Sequence, residues 1–305
     1  MKNKFTKTIL STVVLLGFIG ILTSGCRLFS DKDNAENKID SLSKLDTGKS
    51  ISKLKTVFFA LPSPIEIAMV TKGTGAPYNE SILNPIDNYT KYNTTKALAL
   101  NLGVYSADLS YASIYEQTQI TVKYMSISKK IADRLGILQA IDDSVIIKLE
   151  KSVNDPYTTS TIISKTFLNS NSYLKENNRP ETAGLILTGG WIEDLYIQTQ
   201  LYTSAKNKNK MLLDKILDLR LSISQLISLL EDTKENIDIK SLLGEIYGLQ
   251  KVFDKIKVET SKVEPQINTA NNTTTLHSKV TTKISDEDLK ELCDKVNKIR
   301  ASFIQ

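Results

Sequence analysis

Two adjacent carboxylates, Glu193 and Asp194, lie close to the single tryptophan, Trp191, and suggest acid–base chemistry. Glycosidases use two carboxyl groups placed on either side of the scissile bond. Adjacent residues of a helix, however, project about 100° apart, so these two acids would not face one substrate bond. We therefore expect both carboxylates to lie on a solvated helix surface, and we expect no enzymatic activity.

The other residues capable of nucleophilic or metal chemistry are few. The chain has one histidine, His277, and two cysteines, Cys26 and Cys293. His277 belongs to a segment rich in Asn and Thr, where a solvated loop residue is expected rather than a catalytic base. Cys293 lies between Leu292 and Val296 on an apolar stripe, which is typical of a small buried side chain. We expect no metal site and no other cofactor.

A short internal repeat is the clearest pattern in the body of the chain. The sequence Tyr115-Glu116-Gln117-Thr118-Gln119 reappears 81 residues later as Tyr196-Ile197-Gln198-Thr199-Gln200. The same offset superposes Gly103 on Gly184. One offset that aligns polar and apolar positions together suggests duplication of a helical unit.

Such a duplication would place two copies of one helix opposite each other across a pseudo-two-fold axis. Their amide side chains would then hydrogen-bond to each other inside the bundle. The alternative is a polar binding pocket between the two helices. Its candidate binding residues are Tyr115, Gln117, Gln119, Trp191, Tyr196, Gln198 and Gln200, with Asp108, Glu116, Glu193 and Asp194 nearby.

The first 26 residues have the three parts of an export signal: a basic start, an apolar run, and small residues before a cysteine. These parts are Lys2, Lys4 and Lys7, then Ile9 to Leu22, then Thr23, Ser24, Gly25 and Cys26. The segment from Leu22 to Cys26 resembles the lipobox of bacterial lipoproteins. It departs from that pattern at Thr23, where leucine is commoner, and Leu22 is displaced by one position.

The resemblance implies that Cys26 is lipidated through its sulfur, with palmitate among its acyl chains, and becomes the new N-terminus. The alternatives are an ordinary secretory signal and an uncleaved membrane anchor, although the apolar run is shorter than the roughly 20 residues of a spanning helix. The resemblance further implies a protein of the bacterial cell envelope, anchored to a membrane. Arg27, the residue after the cysteine, is not acidic. In a host with two membranes, the resemblance then implies transfer to the outer membrane, on either its periplasmic or its surface face.

Charge gives no indication of nucleic-acid binding. Removal of the signal would lower the net charge from +5 to about +2, because the signal contains three lysines and no acid. The remaining charges alternate in sign, as in Lys251-Val252-Phe253-Asp254-Lys255, whereas a phosphate-binding surface needs clustered basic residues.

Helix-start signals and apolar periodicity predict an all-α helical bundle with few or no strands. Ser63-Pro64-Ile65-Glu66 predicts one helix start, and Asp155-Pro156, Arg179-Pro180 and Ser285 with Asp288 predict three others. We expect an extended lead-in at Thr56 to Leu61. The predicted organisation is a signal peptide at 1–25, a flexible tether at 26–50, a helical bundle at 51–263, a mobile polar loop at 264–284 and a C-terminal helix at 285–305.

These patterns together favour a lipid-anchored, non-enzymatic interaction or scaffold protein whose partner is another envelope protein. The alternative is a protein that binds a small molecule or an envelope component in the polar pocket between the duplicated helices.

Overall fold

The computed structural model describes residues 61–138, 143–262, 264–268, 273–277 and 280–305. Within these residues the chain is an all-α helical bundle with four short strands, which confirms the predicted fold class. The predicted signal peptide, Cys26, the tether and residues 56–60 of the lead-in lie outside the described residues.

Ten α-helices lie in the described part of the chain. They are α1 (Pro64–Gly73), α2 (Thr95–Ile114), α3 (Thr118–Arg134), α4 (Asp143–Ser152), α5 (Pro156–Glu176), α6 (Pro180–Ser204), α7 (Lys210–Asp218), α8 (Arg220–Glu231), α9 (Ile237–Phe253) and α10 (Asp286–Ile304). Two short 3-10 helices, Glu80–Ile82 and Ile86–Lys91, lie in the connection between α1 and α2.

The core is organised around α2 and α6, which are buried along most of their lengths and pack against each other. Their backbones meet at glycines. A methyl group on Gly103 would lie 2.0 Å from the carbonyl oxygen of Ile186, and one on Gly189 would lie 2.0 Å from that of Leu100. Only residues without a side chain allow this approach, so the glycines fix how closely the two central helices pack.

The other helices surround this central pair. α1 and α3 pack on α2, and α10 packs on α6. α4 pairs with α5, α8 pairs with α9, and α9 also contacts α10. The helices of the periphery therefore cover the apolar faces of α2 and α6.

The predicted helix starts are confirmed. The backbone N–H of Ser63 donates to the Glu66 carboxylate at 2.7 Å, which is half of a capping box. Asp155 accepts from the backbone N–H groups of the first turn of α5, and Ser285 accepts from the backbone N–H of Asp288. α6 begins at Pro180.

The prediction of a loop over 264–284 is wrong in part, because this range contains three of the four strands. β1 (Lys257–Thr260) pairs antiparallel with β4 (Val280–Lys283), and β2 (Glu264–Asn268) pairs antiparallel with β3 (Thr273–His277). Threonine and valine recur in these segments, and β-branched residues favour extended backbone.

The repeated five-residue motif does not lie at equivalent places in two helices. In the first copy, α2 ends at Ile114 and the chain turns at Glu116, whose φ of 61° is left-handed. The second copy lies within the continuous helix α6. The predicted pseudo-two-fold arrangement of this motif is therefore wrong, since a helix break in one copy matches a helix interior in the other.

Each helix in the described residues is too short or too polar to span a membrane.

Candidate functional site

A buried ion pair joins the C-terminal helix to the central pair. Arg300 of α10 donates from Nε to Oε2 of Glu193 at 3.0 Å and from Nη2 to Oε1 of Glu193 at 3.0 Å. The Glu193 side chain is fully buried and that of Arg300 is 9% exposed. One guanidinium therefore hydrogen-bonds to both carboxylate oxygens, in the bidentate geometry that arginine favours.

Arg300 makes two further contacts. Its Nη2 also donates to the backbone carbonyl of Ile82 at 3.3 Å, and its guanidinium lies 4.3 Å from the centre of the Tyr196 ring. A cation over an aromatic face gains electrostatic attraction from the ring. The arginine thus connects α10, α6 and the first 3-10 helix.

Asp108 of α2 is the second acid of this cluster and is fully buried. Its Oδ2 accepts from the backbone N–H of Asn84 at 3.2 Å, while Oδ1 has no hydrogen-bond partner among the described residues. Burial and then the charge of Glu193 raise the pKa of Asp108 well above its usual range. Burial also raises the pKa of Glu193, but the paired Arg300 opposes this effect. The guanidinium of Arg300 therefore favours the charged form of Glu193, whereas burial and the nearby Glu193 favour the neutral form of Asp108.

Asp194 is a third buried acid. Its Oδ2 has no hydrogen-bond partner among the described residues. Burial, followed by the charge of Glu193, raises its pKa well above the usual range. The expectation that Glu193 and Asp194 are solvated is wrong, because α6 is surrounded by other helices and has no solvated face at this point.

Amide and phenol side chains surround the ionic cluster. Asn84 donates from Nδ2 to the Tyr92 hydroxyl at 3.1 Å and to Oδ1 of Asn101 at 3.3 Å. The backbone carbonyl of Asn84 accepts a hydrogen bond from the Tyr124 hydroxyl. Asn101 in turn donates to the carbonyl of Phe303 at 2.7 Å. Burial raises the pKa of Tyr124, so this phenol acts as a neutral hydrogen-bond donor.

The first copy of the repeated motif lies at the turn between α2 and α3. The Tyr115 hydroxyl donates to the carbonyl of Ala76 at 2.7 Å, and Gln117 donates to the carbonyl of Tyr115 at 2.8 Å. Gln119 is exposed. These side chains stabilise the turn and its contact with the connection after α1.

The second copy of the motif points in several directions from α6. Tyr196 lies under Arg300, and Gln198 is buried and donates to the Thr71 hydroxyl at 2.9 Å. Gln200 is hydrogen-bonded at the surface to Asn297 of α10. The two copies therefore do not line one shared pocket.

Trp191 and the two glycines before it are also internal. The indole N–H of Trp191 donates to the Ser222 hydroxyl at 3.0 Å, and its side chain is only 4% exposed. Gly189 and Gly190 lie against α2. Trp191 was predicted as a candidate binding residue of the polar pocket. It is instead packed inside the bundle, next to the glycines that let α6 approach α2.

Arg300 is the charged residue of this cluster that was not predicted from the sequence. A signal was present, because Arg300 follows Val296 by one helical turn and adjoins Ile299 on the apolar stripe of α10. A basic residue on such a stripe needs a buried acid as its partner. The sequence alone did not say which acid that is.

The acids of this cluster are covered by protein on every side, so they interact with other groups of the protein. The described residues contain no group of three or more His, Cys, Asp or Glu side chains that is arranged to hold a metal ion. Cys293 is buried as expected, and burial raises the pKa of its thiol. Comparisons with protein-family models, with curated proteins and with solved structures give no match for this chain.

Proposed function

We propose that this chain is a lipid-anchored, non-enzymatic protein of the bacterial envelope whose helical body contacts another envelope protein. The observation that carries the proposal is the sequence from Leu22 to Cys26, which follows a basic and then an apolar segment. The polar residues after Cys26 would separate the body from the membrane surface. Each buried methylene of an acyl chain contributes about 0.8 kcal/mol, so several chains on one cysteine hold a protein firmly at a membrane.

The internal character of the Glu193–Arg300 pair supports a structural rather than a catalytic use of the charged groups. The pair connects α6 to the last helix, and both oxygens of Glu193 accept hydrogen bonds from Arg300. The polar pocket predicted from the repeat is not part of the proposed function, because the two copies of the motif do not line one shared pocket.

Membrane fractionation of cells that produce Cys26→Ala tests the anchor. The chain provides a matched control, since its only other cysteine is Cys293. Cys293→Ala should remain in the membrane fraction with the wild type, and Cys26→Ala should leave it. Membrane association of Cys26→Ala equal to that of the wild type would contradict the anchor.

Crosslinking in intact cells tests the contact with a partner. The wild type and Cys293→Ala should capture the same envelope protein, and Cys26→Ala should not, because it is no longer held beside that partner. Recovery of the chain alone from the wild type would contradict the interaction half of the proposal.

A further inference from the structure

The solvent-exposed side of α3 is strongly basic. Its exposed residues include Lys123, Lys129, Lys130 and Arg134, and Asp133 is the only acid in the sequence of this helix. Lys123, Lys130 and Arg134 are seven and four residues apart, so they lie in a row along one side of the helix, over about 16 Å. We call Lys123, Lys129, Lys130 and Arg134 the basic face of α3.

The connection before α2 holds two of these cations in place and adds another. Arg134 donates from Nη2 to Oδ1 of Asn93 at 2.9 Å and from Nη1 to the backbone carbonyl of Tyr89 at 3.3 Å. Nζ of Lys130 lies 5.0 Å from the centre of the Tyr89 ring, and Lys91, at the end of the same 3-10 helix, is exposed. These partners are uncharged, so they position the two cations without neutralising them.

The basic face also lacks the acidic partners that basic residues have elsewhere in the bundle. Such ion pairs include Lys72–Glu116, Lys210–Asp214, Lys255–Asp288 and Lys290–Asp294. Within the described residues, neither the basic face nor Lys91 forms an ion pair. The basic face and the adjoining 3-10 helix contain five basic residues against two acids, Asp87 and Asp133, a net charge of +3. This surface therefore attracts an anionic partner.

We propose that the basic face of α3 lies on an anionic lipid surface and orients the helical body on the membrane. This inference rests on the proposed lipid anchor. A flexible tether of about 25 residues spans about 25–30 Å on average, so a lipid on Cys26 keeps the body near the headgroups. A rigid row of cations fits many negative charges spread over a plane better than it fits one bound anion.

The proposed contact is electrostatic, which fixes how it depends on lipid and salt. Each basic residue near an anionic membrane strengthens association about fivefold. Salt screens this attraction, because the Debye length falls from about 8 Å at physiological ionic strength to about 3 Å at 1 M. The body should therefore rest on anionic vesicles at low salt and leave them at high salt, while the anchor stays in the bilayer.

Acetylation of lysines by acetic anhydride, followed by mass spectrometry, tests the orientation. The anchored protein is compared on vesicles of phosphatidylcholine and on vesicles of equal parts phosphatidylcholine and phosphatidylglycerol. Lys123 and Lys130 should react about fivefold or more slowly on the anionic vesicles, and 1 M salt should remove the difference. Lys240 and Lys251, which are exposed on α9, should react equally on both.

Two triple variants that remove the same charge separate this face from net charge. Lys123→Gln with Lys130→Gln and Arg134→Gln should let Lys91 and Lys129 react equally on both kinds of vesicle. The matched control keeps the slower reaction of Lys91 and Lys129 on anionic vesicles. It combines three changes at exposed positions of α9 and α10, Lys240→Gln, Lys251→Gln and Lys298→Gln.

Flotation of the same samples distinguishes this proposal from the anchor. Protein that floats with both kinds of vesicle but shows equal rates at Lys123 and Lys130 overturns the orientation and leaves the anchor intact. Protein that floats only with anionic vesicles supports the basic face and contradicts the anchor, and protein that floats with neither overturns both. Equal rates on both vesicles, with slow reaction of Lys123 in intact cells, would assign the face to an acidic protein and overturn the lipid contact.

Discussion

Arg300 provides a counterion for one of the three buried acids. It engages both oxygens of Glu193, while no basic side chain among the described residues hydrogen-bonds to Asp108 or Asp194. Burial raises the pKa of each of these two aspartates. One arginine thus compensates one carboxylate, and burial favours the neutral form of the other two acids.

Replacement of Arg300 by Met should lower the free energy of unfolding by about 3–5 kcal/mol, because it leaves Glu193 buried without its counterion. The double variant Arg300→Met with Glu193→Leu should recover most of this loss, since it removes both charges and keeps the volume. Urea denaturation of the three proteins measures the effect. A loss below about 1 kcal/mol in Arg300→Met would show that the pair does not stabilise the bundle.

Asp194 should make stability fall as the pH rises. Its folded-state pKa is raised, so its contribution to stability is complete below about pH 4 and is lost as the pH rises through the folded-state pKa. Asp194→Asn cannot ionise and should lose less stability than the wild type between about pH 5 and 8. Denaturant melts across this range measure the slope. Asp133→Asn, at an exposed position, should keep the wild-type slope, and a wild-type slope in Asp194→Asn would refute the assignment.

At the scale of the elements, local signals predicted the helix ends well, but they could not place the helices relative to one another. Ser63, Asp155 and Ser285 each hydrogen-bond to a residue two or three positions further along the chain. These helix starts could therefore be predicted from the local sequence. α2 and α6 are surrounded on all sides, and such helices lack the polar face that would show where a carboxylate such as Glu193 points. The prediction that the two copies of the motif are equivalent failed because sequence similarity did not reveal the turn at Glu116.

The contact between α2 and α6 depends on glycine at the crossing. Gly189→Ala places a methyl group 2.0 Å from the Leu100 carbonyl oxygen and should cost about 1–3 kcal/mol, as overpacking does. Gly244→Ala on α9 is the matched control. A methyl group there meets no atom within 4 Å, and alanine favours helix, so this variant should be more stable by about 0.5–1 kcal/mol. Thermal denaturation of both variants checks the prediction, and an unchanged midpoint in Gly189→Ala would contradict it.

At the scale of the whole molecule, contacts between distant parts of the sequence hold the bundle together. Asn101 reaches the carbonyl of Phe303, and Glu193 reaches Arg300, so the last helix is bonded to both central helices. The all-α class was predictable because apolar periodicity is a local property. These pairings were not, since each joins residues more than a hundred positions apart.

The central functional claim is the lipid anchor, and mass spectrometry of the N-terminal peptide of the protein purified from membranes tests it most directly. The account predicts a peptide that begins at Cys26 and carries the mass of acyl chains on that residue. A peptide that begins at Met1, or at any residue with Cys26 unmodified, would contradict the claim.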